Sequence, residues 1–142
     1  MATFGATVHS NAIGSSTGAV PADARDTRQK ELIPPEELAN SSAYVFGCGA
    51  IGRQVVYMLS AMGVPRIAVW DNDMIEVVNL GPQAWTKEQI GQNKAVATAT
   101  FVKSFVNSDT DMLTLTSEFT STTRIEDIQS SSILVVLVNS LV

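Results

Sequence analysis

The sequence predicts an α/β fold, a mostly parallel sheet with helices on both of its faces. Three observations carry that reading. Short apolar runs such as AYVFG and SILVVLVN alternate with segments whose apolar residues recur at helical spacing. The runs are apolar almost throughout, as in strands buried on both sides. The chain is also long enough for one real core: 142 residues, 45% of them hydrophobic and 16% charged. Right-handed crossovers then suggest the strand order 3-2-1-4.

The elements follow in order. Residues 1–22 are rich in Gly, Ser, Thr and Ala without an apolar period, and are expected to form a flexible tail before a single domain at 23–142. His9 lies in that tail and reads as a solvated residue rather than a ligand. Pro34-Pro35 breaks the next segment, and PEELANS reads as a short helix. AYVFG is a buried strand that ends on a glycine. From Ile51 to Met62 an amphipathic helix is expected, with Val55, Val56, Leu59 and Met62 inward and Gly63 as its cap. RIAVWD is the second strand.

NLGPQAW is expected to be an irregular loop, since Gly81-Pro82 suits neither helix nor strand. Gln92 to Val106 reads as a second long helix, with Ala95, Ala99, Val102 and Val106 on one face. Met112 to Thr116 form a third strand. Thr123 with Glu126 resembles a capping box, and SILVVLVN is a fully buried fourth strand. The chain stops soon after it, where such a domain normally continues into another helix. A domain truncated at its C-terminus is therefore expected.

Composition excludes several classes. A net charge of −5 argues against a general nucleic-acid binder. No apolar run reaches the roughly 20 residues of a membrane-spanning helix, and the N-terminus lacks a secretory layout. A single cysteine, Cys48, rules out an internal disulfide and a CxxC zinc site. No metal-ligating set stands out, and the cytoplasm is the expected compartment.

The chemistry concentrates in YVFGCGAIGR and in the acidic stretch WDNDMIEVVNLGPQ. Gly47, Gly49 and Gly52 have the G-x-G-x-x-G spacing between a strand and a helix, the Rossmann-like nucleotide fingerprint. The first glycine permits a tight turn, the second lets a phosphate approach the backbone, and the third lets helix and strand pack closely. Amides around Ala50 and Ile51, at the helix start, supply positive potential for that phosphate. Asp71, roughly 20 residues further on, is placed to accept hydrogen bonds from ribose hydroxyls. This pattern serves NAD, FAD and ATP alike. Cys48, inside the loop, reads as a small buried residue because nothing nearby supplies a base. Lys94 falls in the first turn of the second helix, where the macrodipole mildly disfavours a cation unless a polyphosphate is bound; on charge alone a solvated surface lysine fits equally well.

The pieces RDTRQ, GCGAIGR, DNDMIEVVNL..Q and IGQNKA, taken in order, resemble the ThiF/MoeB/HesA family, relatives of ubiquitin-activating enzymes. The resemblance implies a protein that binds ATP with Mg²⁺ and adenylates the C-terminal carboxylate of a ubiquitin-like or sulfur-carrier protein, usually as a homodimer. It implies that Gly47, Gly49 and Gly52 cradle the phosphates, that Asp71 binds the ribose and that Asp73 lies near it. Asn79 and Gln83 would order the loop over the phosphates, and Lys94 would contact the triphosphate. Arg28 matches an arginine that reaches into the partner subunit's site. Two positions depart from the family pattern: Pro82 stands where an arginine is common, and Asn139 where an aspartate supports the metal. These changes predict impaired catalysis.

Three functions therefore stay open at this level. One is an adenylating enzyme, the second a descendant that holds nucleotide or partner without turnover, and the third an NAD-binding oxidoreductase module. The last leaves NLGPQ and GQNK unexplained.

Overall fold

The computed structural model describes residues 31–107 and 109–117 and the backbone of 133–137. The expected tail, Arg28, Thr123 with Glu126, and Asn139 lie outside the described residues. Pro35 opens α1 (Pro35–Ala39), where its fixed φ suits the first helical position and Glu36 and Glu37 meet the positive end of the dipole. The Ser41 hydroxyl donates to the Leu38 carbonyl at 2.7 Å and turns the chain into β1 (Ser42–Phe46).

Among the described residues four strands make one parallel sheet: β1, β2 (Arg66–Trp70), β3 (Asp111–Leu115) and β4 (Ile133–Leu137), in the order β3-β2-β1-β4. Val45 lies opposite Val69 on one side and Val136 on the other. Because successive strand residues point to opposite faces, Ala43, Val45, Ile67, Val69 and Met112 meet on one side. Tyr44, Phe46 and Ala68 gather with Trp70 and Leu113 on the other.

The first face receives both described long helices. Helix α2 (Gly52–Ala61) contributes Val56 and Leu59 to it. After a short α3 (Leu80–Gln83), helix α4 (Lys94–Phe101) contributes Ala95 and Ala99, and Val102 follows. The segment that joins β3 to β4 across the sheet is outside the described residues.

Several boundaries differ from the sequence expectation. Met62 is 36% exposed rather than inward, because it lies past the last helical residue and Gly63, at φ 93°, reverses the chain there. The second long helix starts at Lys94 rather than Gln92, since Asn93 caps it. It also changes to a π-helical turn at Val102–Val106, whose wider winding leaves Val106 half-buried. β3 begins at Asp111, one residue earlier than expected.

The larger correction concerns NLGPQAW. It is not irregular: a 3₁₀ turn (Val77–Asn79) runs directly into α3. Pro82 is tolerated because it sits in the first helical turn, where its missing N–H would have no intrahelical partner. Trp85 and Ile75, 4% and 1% exposed, pack with Ala97 and Leu80 and pin the segment beside α4.

Among the described residues no helix is long and apolar enough to cross a membrane.

Candidate functional site

The chain runs outward from β1 to β3 and returns to the far side of β1 as β4, so β1 marks the point where strand order reverses. Ligands of open parallel sheets bind outside the carboxyl ends of strands at such a point. The glycine loop leaves β1 there. Gly47 has φ 87°, a region open to glycine and strained for other residues, and its amide donates to the Trp70 carbonyl at 2.7 Å. A Cβ built on Gly49 would meet nothing within 4 Å, so the space in front of that residue is open. Gly52 is buried as the first residue of α2. No side chain caps the start of α2, whose Ala50 and Ile51 precede it on the surface. An uncapped helix start beside an open glycine is a fit for a phosphate group.

Asp71, immediately after β2, is 9% exposed and joins two loops. One carboxylate oxygen accepts the Cys48 amide at 2.6 Å and the other accepts the Asp73 amide at 2.8 Å. The same side chain offered for a ribose thus also holds the glycine loop against the turn after β2. Each oxygen keeps a second lone pair for a hydroxyl donor. Cys48 itself is fully buried, and its thiol is pushed up to about 12, first by burial and then by the neighbouring Asp71 charge. A thiol so raised is an inert packing group at neutral pH.

Lys94 is 5% exposed at the first position of α4. Its Nζ donates to Asp73 Oδ2 at 2.8 Å, and the Asp73 side chain is 55% exposed. A buried cation needs a partner, and at a helix N-terminus the dipole adds to the penalty. Asp73 meets that need from the solvent side, where an incoming anion could compete for the ammonium.

Asn93 is a site-building residue that the sequence reading left without a role. Its side-chain oxygen accepts the Ala95 and Val96 amides at 2.9 and 3.2 Å, and its amide group donates to the Asp71 and Asp73 carbonyls. It therefore positions Lys94 and Asp71 together. The signal was present, since Asn directly before a helix is a strong N-cap.

Asn79 and Gln83 belong to the segment after β2. The Asn79 oxygen accepts the Glu76 amide at 2.9 Å in a reciprocal capping box, and Gln83 Oε1 accepts the Trp85 indole N–H at 3.0 Å. Both side chains shape their own loop. Arg53, a second residue without a role in the sequence reading, reaches this loop from α2. It is 4% exposed, with its guanidinium carbon 3.8 Å from the centre of the Trp85 ring. It donates to the Gln83 and Ala84 carbonyls and to the Tyr57 hydroxyl. Burial raises the Tyr57 pKa, with Arg53 partly opposing, so the phenol stays a neutral acceptor. Nothing in residue spacing links positions 53 and 83.

Among the described residues, no group of three His, Cys, Asp or Glu side chains could hold a metal. The acids at the site are Asp71, held by backbone amides, and Asp73, paired with Lys94.

The ThiF family model matches residues 26–138. The adenylyltransferase and sulfurtransferase MOCS3 of Dictyostelium discoideum is 32% identical over 114 residues, covering 75% of this chain and 27% of its own length. The sulfur carrier protein adenylyltransferase of Thermus thermophilus is 35% identical over 79 residues, 50% of this chain and 29% of its own. Among solved structures, E. coli MccB with ATP matches with a TM-score of 0.60 at 26% identity, covering 68% of this chain and 29% of that one. The chain thus spans less than a third of the length of these relatives.

Proposed function

Because the chain belongs to the ThiF family, we propose that its glycine loop, Asp71 and Lys94 bind ATP, and that the protein adenylates the C-terminal carboxylate of a ubiquitin-like or sulfur-carrier protein. The observation that carries this reading is Lys94, a buried cation at a helix start beside the glycine loop, held by one exposed carboxylate. That arrangement suits a polyphosphate, which would take the ammonium over from Asp73.

In the proposed site the phosphates lie over Gly49, close to the uncapped start of α2, and the ribose hydroxyls meet Asp71. ATP supplies an adenylyl group: the carrier's carboxylate oxygen bonds to the α-phosphorus, and pyrophosphate leaves from it. The chain's own part is to bind, orient and neutralise the triphosphate. The described residues supply no carboxylate cluster for Mg²⁺, so the cation is proposed to enter on the nucleotide. A homodimer, with Arg28 reaching the partner's site, completes the proposal.

A second reading is nucleotide binding without turnover. Pro82 and Asn139 favour it, since both stand where the family pattern has charged groups. Pyrophosphate exchange with a carrier protein ending in a free carboxylate separates the two. Exchange that depends on Lys94 supports adenylation. Tight ATP binding without exchange supports the second reading, and absence of ATP binding defeats both.

A further inference from the structure

Arg53 is a buried cation whose hydrogen bonds go to neutral oxygens, those of Gln83, Ala84 and Tyr57. Burying a guanidinium costs desolvation that hydrogen bonds to neutral oxygens offset only in part. What Arg53 holds is the end of α3. The carbonyls it takes are the ones a helix leaves unpaired at its C-terminus, where a cation also meets the negative end of the dipole. There the chain turns through Ala84, at φ 54°, the one non-glycine residue with positive φ among those described. Trp85 follows at once, with its ring under the guanidinium.

At its other end Arg53 is fixed to the nucleotide loop. It directly follows Gly52, and its amide donates to the Gly49 carbonyl at 3.3 Å. The Tyr57 hydroxyl, one turn along α2, takes its Nε at 3.0 Å and one terminal nitrogen at 2.6 Å. One side chain therefore spans from the glycine loop to the segment that carries Asn79 and Gln83. Pro82, inside that segment, has no polar side chain with which to make such a link.

We propose that Arg53 is a positioning residue for the nucleotide site: it braces the Asn79–Gln83 segment against the glycine loop, with Trp85 and Tyr57 as its supports. The proposal rests on the ATP-binding reading above. Arg53 touches no phosphate in this role. It acts through the loop, and its planar fork matters as much as its charge.

The test pairs two measurements on Arg53→Lys, which keeps the charge and loses the fork. Hydrogen exchange should rise at least tenfold at the amides of Leu80, Gly81, Gln83, Ala84 and Trp85, while the amides of Leu59 to Ala61 in α2 stay within twofold. Titration should show at least fivefold weaker ATP, with adenosine within twofold. Should Arg53→Lys fail to fold, Tyr57→Phe removes one support and carries the same two measurements, with smaller changes of the same sign. Unchanged exchange at 80–85 overturns the brace. Faster exchange with unchanged ATP affinity overturns the positioning role and leaves a purely structural arginine. A wild-type protein that binds no ATP defeats the adenylation reading itself, and the exchange arm still decides whether Arg53 holds the segment.

Discussion

The glycine loop from Gly47 to Gly52 and the segment from Glu76 to Trp85 are joined by Arg53, yet they hold their shapes by opposite means. The loop is set mainly by its own backbone, with a left-handed glycine, an amide to the neighbouring strand and a helix start left without a cap, and Asp71 takes one of its amides. The segment is set from outside, by an arginine some thirty positions upstream and by a small core of Ile75, Trp85 and Ala97. Local chemistry makes a site that can be read in advance. Tertiary chemistry holds the segment beside it.

That contrast can be broken most forcefully at Asp71, which ties the glycine loop to the turn after β2. Asp71→Ala should strand the buried Cys48 amide and destabilise the fold by about 3 kcal/mol, measured by urea unfolding, with ATP binding weakened at least tenfold. Asp71→Asn keeps one acceptor oxygen and should lose about half of that stability. Intact stability in Asp71→Ala would show that the two loops do not depend on this carboxylate.

Gly49→Ala sharpens the comparison. Its φ is ordinary and its Cβ would enter open space, so stability should change by less than about 0.5 kcal/mol. The same methyl intrudes where a phosphate must come close, and ATP affinity should fall about tenfold, some 1.4 kcal/mol. A variant that binds ATP normally would move the phosphates away from this loop. Asn93→Ala comes next: loss of the N-cap should cost about 1 kcal/mol of stability and weaken ATP through the displaced Lys94. Equal affinity in that variant would mean that Asn93 serves only the helix.

The smallest effect at neutral pH concerns Cys48. Its folded pKa, about 12, lies above the ordinary thiol value of 9.0, so between the two the folded state retains a proton that the unfolded state has lost. Stability should therefore be complete below about pH 9 and fall as pH rises towards 12. Cys48→Ala should flatten the alkaline arm of the stability profile relative to that variant's own stability at pH 7. An unchanged alkaline arm would contradict the buried, neutral thiol.

What could be read in advance divides along the same line. AYVFG, RIAVWD and the helix after Gly52 were legible because period and capping are local, and the structure agrees on their positions within a residue or two. GPQAW was misread because Gly81-Pro82 is a breaker in a helix interior but tolerated in a first turn, and only the tertiary pocket around Trp85 reveals which applies. Met62 and Val106 were placed inward by extending a period past the point where helical winding stops or widens. At the site, Asp71 was visible from spacing and Lys94 from its place in the family-like IGQNKA piece, while the link from Arg53 to Gln83 and Ala84 crosses too much chain for any local pattern. Asn93 was legible as an N-cap, but its second role, reaching back to the Asp71 and Asp73 carbonyls, was not.

The central claim is that this chain recognises a triphosphate through Lys94 at the glycine loop. Calorimetric titration of ATP, NAD and adenosine into the wild type and Lys94→Ala tests it most directly. ATP should bind at least tenfold more tightly than NAD, and Lys94→Ala should remove that advantage while adenosine stays within about twofold. NAD binding as tight as ATP, or an ATP affinity that survives loss of Lys94, would contradict the account.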